Sequence, residues 1–298
     1  MKIIISGGTG FIGSKLSEKL EKEGFTLAII SRQAEIIDSR FTALSWDENE
    51  ILSFIGKEKF AVINLAGRSI SSGRWTNKNK QKIVQSRIFT IDFFGKIFKN
   101  NNLYPEVFIQ ASAIGFYGTH KEKIFTEKEA NGDGFLADLA YKIEKAVEEK
   151  IESKRKILIR TGLVAGKNGG FLKRLLLPYK FFAGGHFGTG KQFFSWIHIE
   201  DEIDAILFLL RNENTKGAYN LTAPEPVSMK EFCKTTGKVL KRPSFMVVPG
   251  FILRIIFGEM AKEVLLSGQK VIPQRLMEEG FIFSFPNLNS ALSNLLKN

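Results

Sequence analysis

The segment MKIIISGGTGFIG, residues 1–13, constrains the chain more than any other. Ile3 to Ile5 is a short apolar run of strand type that leads directly into glycines at 7, 8, 10 and 13, and Leu16 and Leu20 then mark one face of a helix. In a strand, tight turn and helix taken in that order, each glycine has a task. Gly7 permits the turn, Gly10 lets backbone amides approach an anion with no side chain between, and Gly13 lets the helix pack on the strand. With Thr9, Phe11 and Ile12 completing the turn, free amides and the helix dipole form a seat for a pyrophosphate. A dinucleotide is the expected ligand.

The end of the second strand selects which dinucleotide. Phe25 to Ile30 is a β-rich run after Gly24, and it is tipped by Ser31-Arg32 where a carboxylate would bond a ribose hydroxyl. A guanidinium suits a 2′-phosphate in charge and in fork geometry, so NADP is expected over NAD. Further along, VINLAG at 62–67 reads as a buried strand ending in Leu65, Ala66 and Gly67, small enough for a ribose or nicotinamide to approach. Arg87 in the helix that follows is positioned to turn toward cofactor phosphates, and Leu163, just past a later strand, completes the expected cofactor set.

Strand-like runs at 2–6, 25–31, 61–65, 107–111 and 156–161 alternate with helical patterns, which predicts an α/β fold with a doubly wound parallel sheet. GAYNLTA at 217–223 reads as a further strand of that sheet. The strand at 107–111 runs on to Ser112 and a glycine turn with Tyr117, and strand carboxyl ends are where such sheets bind ligands. On the helix over 135–152, Tyr141 and Lys145 stand four apart and share a face. Such a pair suits proton exchange with a carbonyl or alcohol.

Composition narrows the class. A chain of 298 residues that is 44% hydrophobic can bury a large core, and no apolar run is long enough to span a membrane. A cytoplasmic protein with no membrane or nucleic-acid partner is expected, its oligomeric state open. The single Cys233 has no disulfide partner, and the three histidines show no ligand spacing, so no metal site is expected. The net charge of +12 is concentrated: residues 153–199 carry nine Lys or Arg and no carboxylate, and residues 68–99 carry eight against Asp92. Lining of a cleft for anionic ligands is the preferred reading of both stretches.

SGGTGFIG, INLAG, GRW with QSR beyond it, GTGKQFFSWIHIED, NLTAPEPVS and GQKVIPQRL together give a chain that resembles, end to end, the atypical extended short-chain dehydrogenases of the NAD(P)-dependent epimerase/dehydratase superfamily. The narrower likeness is to the subgroup called epimerase family proteins or predicted nucleoside-diphosphate-sugar epimerases. The resemblance implies an NADP-binding Rossmann domain over 1–165, with 198–223 returning to it, and a substrate lobe from 166–197 and 224–298. It also implies a relay in which Ser112 polarises the substrate oxygen, Tyr141 exchanges the proton and Lys145 holds the ribose. A second register is open: if Glu144 matches the glutamate that follows the family's Tyr-x3-Lys, then Leu136 and Ala140 occupy the Tyr and Lys positions. The expected function is an oxidoreductase acting on a carbonyl or secondary alcohol of a small polar or anionic substrate. The alternatives are a nucleotide-sugar epimerase and a catalytically silent NADP(H)-binding regulator.

Overall fold

The structure is a computed structural model that describes residues 1–167 and 169–297. Its main sheet has seven strands: β1 (Lys2–Ser6), β2 (Thr26–Ile30), β3 (Thr42–Leu44), β4 (Phe60–Asn64), β5 (Val107–Ala113), β6 (Lys156–Thr161) and β7 (Gly217–Leu221). All pair in parallel, in the spatial order 3-2-1-4-5-6-7. The longer helices, of eight residues or more, are α1 (Phe11–Lys22), α2 (Glu48–Ile55), α3 (Asn77–Asn100), α4 (Phe135–Lys150), α5 (Ile199–Arg211), α6 (Met229–Leu240), α7 (Gly250–Phe257) and α8 (Leu288–Leu296).

The two-residue period of the strands divides the core between two faces. Ile3 and Ile5 pack with Leu16 and Leu20 of α1 and with Ile203 and Ile206 of α5. Ile4 points the other way, into a cluster with Phe94 and Phe98 of α3 and Ile143 and Val147 of α4. All five residues of β4 are buried, as a strand covered on both faces requires. Its one polar member, Asn64, is satisfied: it accepts from the Ser6 hydroxyl and donates to Thr90 Oγ1 at 2.9 Å and Gln110 Oε1 at 2.8 Å. That ladder ties β1, β4, β5 and α3 together at the seam where strand order reverses, the place where such sheets open a crevice.

The sequence pattern missed β3, because three residues carry no period to read. It read GAYNL correctly as a sheet strand. As β7 it forms an edge, guarded by Arg275, whose Nη1 donates to Ala218 O at 2.8 Å, and by Glu127, which accepts from Asn220 N at 3.0 Å. The rest of the chain forms small ribbons. Leu163–Gly166 pairs with Trp196–His198, Gly184–Phe187 with Ser244–Val248, and Lys270–Val271 with Ile124–Phe125. Among the described residues, no helix is long and apolar enough to cross a membrane.

Candidate cofactor and substrate site

The glycine turn has the geometry its sequence demands. Gly7 has φ +79°, and a Cβ there would stand 2.9 Å from Ala66 N, so the turn abuts the end of β4. A Cβ on Gly13 would collide with the Gly7 carbonyl, which is the close contact of helix and strand. At Gly10 a Cβ would meet only Gly7 O, at 3.2 Å. Gly10 is therefore open outward, and no side chain caps α1, so its first-turn amides are available to an anion. Thr9 is exposed beside it. The Phe11 ring is turned away, against Gly166, Gly169 and Gly170, which leaves only its backbone to a ligand. At the end of β2, the Ser31 hydroxyl accepts from Gln33 N at 3.1 Å, whereas Arg32 is exposed and without a partner among the described residues.

A cavity opens beside this turn, at the carboxyl ends of β4, β5 and β6. Leu65, Ala66, Arg87, Ser112, Thr161 and Leu163 line it from the sheet side, and Glu263 to Gln269 approach from the C-terminal part of the chain. Arg87 donates to Arg68 O at 2.9 Å and Ile83 O at 3.1 Å, its guanidinium lies against Gly67, and burial lowers its pKa. Thr161 donates to Glu202 Oε1 at 2.8 Å. The other oxygen of that carboxyl is buried without a partner, and burial pushes its pKa up to about 8.

Behind Ser112 stands a buried polar network. The Ser112 hydroxyl donates to Glu144 Oε1 at 2.8 Å, and Arg160 holds the same carboxylate with two bonds, at 2.9 and 2.7 Å. Arg160 also donates to Tyr117 OH at 2.9 Å and packs over the Phe116 ring. The Tyr117 hydroxyl donates to Asn220 Oδ1 at 2.7 Å, and burial pushes its pKa up to about 12. The chain positions involved are so far apart that no local motif announces them.

Two expected catalytic residues are misplaced. Tyr141 is exposed, and Lys145 pairs in solvent with Glu149 at 3.7 Å; neither lines the cavity. The face of α4 toward the cavity carries Leu136, Leu139, Ala140 and Ile143. At 100° per residue, Tyr141 sits five positions, about 140°, round from Leu136, and Lys145 is equally displaced from Ala140. The register anchored on Glu144 describes the observed facing. The charge reading is corrected too. In the stretch 153–199, Arg160 is paired internally, Lys154 and Lys156 pair with Glu106 and Glu148, and Arg155 gathers the carbonyls of Leu209, Leu210, Asn212 and Thr215 at the end of α5. Among the described residues, no group of His, Cys, Asp and Glu could hold a metal ion.

A fold with its crevice at the β1/β4 seam and a glycine turn beside it belongs to the dinucleotide-binding α/β class. Residues 3–222 match the model of the NAD dependent epimerase/dehydratase family, and residues 248–295 match a domain of unknown function, DUF1731. The chain belongs to the NAD dependent epimerase/dehydratase family. It is 40% identical to Epimerase family protein YfhF of Bacillus subtilis over 99% of this chain and 98% of that one. Among solved structures it is similar to human epimerase family protein SDR39U1 with NADPH, at 31% identity and a TM-score of 0.90, covering 100% of both chains. UDP-glucuronic acid 4-epimerase from Bacillus cereus, at 18% identity and TM-score 0.78 over 99% of this chain and 98% of that one, shares the fold.

Proposed function

We propose that this chain binds NADP(H) and uses it on a small alcohol or carbonyl compound held in the cavity beneath the C-terminal ribbons. The observation that carries the cofactor is the outward-open Gly10 at an uncapped helix, with the unpaired Arg32 at the end of the adjoining strand. Gly7, Thr9, Gly10 and the amides of Phe11, Ile12 and Gly13 would hold the pyrophosphate, Ser31 and Arg32 the 2′-phosphate, and Leu65, Ala66, Gly67, Arg87 and Leu163 the nicotinamide half. The NADPH in the human relative's structure supports the same choice. When bound, the cofactor supplies or takes up a hydride.

The proton side belongs to Ser112. Its one proton is committed to Glu144, which Arg160 also holds with two bonds, so Ser112 offers lone pairs to the cavity. It therefore accepts from a substrate hydroxyl. As that proton arrives on Oγ, the serine's own proton passes along its 2.8 Å hydrogen bond to Glu144 Oε1, and the reverse transfer serves a carbonyl. The second reading, a catalytically silent NADP(H)-binding regulator, is favoured by one observation: α4 presents Leu136 and Ala140 to the cavity and no phenol or ammonium.

Titration with both cofactors tests the first step. NADPH is expected to bind at least about tenfold tighter than NADH, a difference of about 1.4 kcal/mol, and Arg32→Asp should erase it. Equal affinities in the wild type would remove the NADP assignment. A screen of carbonyl compounds by NADPH oxidation, and of nucleotide sugars by product formation because epimerisation consumes no cofactor, decides between the enzyme and the regulator.

A further inference from the structure

Lys173, Arg174 and Lys180 of the basic stretch border an exposed apolar face. Gly184–Phe187 and Ser244–Val248 form a ribbon of only two strands, and α7 follows it directly after Pro249. Phe181 is 74% exposed, Phe245 71%, Phe251 64% and Ile255 70%, far above what buried-core residues of these types show. Phe245, Met246 and Val247 are exposed in succession, although α6 packs against part of the ribbon. On α7, Phe251 with Ile255 and Ile252 with Ile256 form one outer face at helical spacing, opposite the buried Leu253. The pieces are joined: Arg242 stacks on Phe182 with its Cζ 3.9 Å from the ring centroid, Gly188 N donates to Val248 O at 2.9 Å, and Leu266 packs beneath both Gly188 and Gly250. A contiguous apolar face of this kind marks an interaction site.

Its charge selects the occupant. Residues 232–258 carry five Lys or Arg and no carboxylate, and Lys173, Arg174 and Lys180 stand exposed on the adjacent segment, which also lacks one. Two acids flank that stretch, Glu231 in the first turn of α6 and Glu259, which is held by Lys80 at 2.5 Å. A second copy of the chain would bring the same cations face to face. We infer that this face, α7 with the 184–187/244–248 ribbon and the 177–182 turn, docks on an anionic lipid bilayer surface. Its aromatic and branched side chains enter the boundary between headgroups and acyl chains, and Lys180, Lys241, Arg242 and Arg254 meet the phosphates. The expectation of no membrane partner rested on the lack of a spanning segment and of a continuous basic run or basic amphipathic helix; surface docking needs no spanning segment, and here the cations come from separate segments that the fold brings to one face.

Flotation with vesicles tests it. The full chain should float with vesicles of equal parts phosphatidylglycerol and phosphatidylcholine, release as salt is raised, and stay behind with phosphatidylcholine alone. Phe251→Ser with Ile255→Ser should lower the bound fraction at least about tenfold, and Lys180→Glu with Arg254→Glu should do the same through charge. All four positions are exposed, and an unchanged circular dichroism melt keeps a misfolded variant from being read as a loss of docking. Wild type that stays unbound on the anionic vesicles overturns the proposal. So does a concentration-dependent dimer in lipid-free sedimentation that the same serine substitutions abolish, since the face would then be an interface between copies.

Discussion

Ser112 and Tyr141 were equally legible in the sequence, and helix phase separates their fates. Tyr141→Phe and Lys145→Met should leave turnover and cofactor affinity within about twofold, because both side chains point into solvent. Ser112→Ala should cost the ~10²- to 10⁴-fold typical of a positioned proton-transfer group, measured on any substrate that supports NADPH oxidation. A normal rate for Ser112→Ala would place the proton chemistry elsewhere in the cavity. Glu202 makes a second prediction with a definite sign. Its folded pKa is raised from 4.5 to about 8, so below pH 4.5 both states hold the proton and stability is complete. As the pH rises toward 8 the unfolded chain ionises freely and the folded one does not, so stability falls across that window. Glu202→Gln should flatten the fall and raise the melting temperature at pH 8, by about 2–4 °C for each kcal/mol recovered, with no gain at pH 4.5. What the sequence concealed at this scale was partnership. Arg160 lies in a basic stretch and Glu144 on an acidic helix, and nothing local shows that they bond each other and Ser112.

Elements were legible where a period had room to repeat. β1, β2, β4, β5 and β6 each show at least five residues of strand pattern, and α1 carries Leu16 and Leu20 one turn apart. The start of α4 was legible at 135, but what caps it was not, since its N-cap is Gly134 at φ +106° with no side chain to offer. The acceptors come from a distant π-turn, Ala261–Leu265, whose Glu263 receives Phe135 N and Leu136 N, both at 3.1 Å. That carboxylate also meets the positive end of the helix dipole. Glu263→Ala should therefore destabilise the protein by about 1 kcal/mol, in the ~0.5–2 kcal/mol range of lost caps, and Glu263→Gln by less. Chemical denaturation of the three proteins checks the ranking; equal midpoints would mean that the first turn of α4 finds another acceptor.

Across the whole molecule, the sheet's order follows from its alternating pattern, whereas the cavity is made by chain segments that meet only once everything else is placed. Breaking the ion pair at its back wall tests how far the assembly depends on it. Arg160→Leu strands Glu144 without its partner and should lose about 3–5 kcal/mol, read from denaturant midpoints, while the Arg160→Leu, Glu144→Leu pair should recover much of that loss. The reach of Glu263 to Leu136 across 127 positions has a further consequence, for synthesis. All seven strands of the sheet have left the ribosome once residue 221 emerges, yet α4 stays uncapped until residue 263 follows. A nascent chain paused between those points carries a finished sheet and an unfinished cavity wall. Limited proteolysis of arrested chains should cut near residue 134 before residue 263 is exposed and spare that site afterwards, so the cavity wall closes only after the sheet is complete.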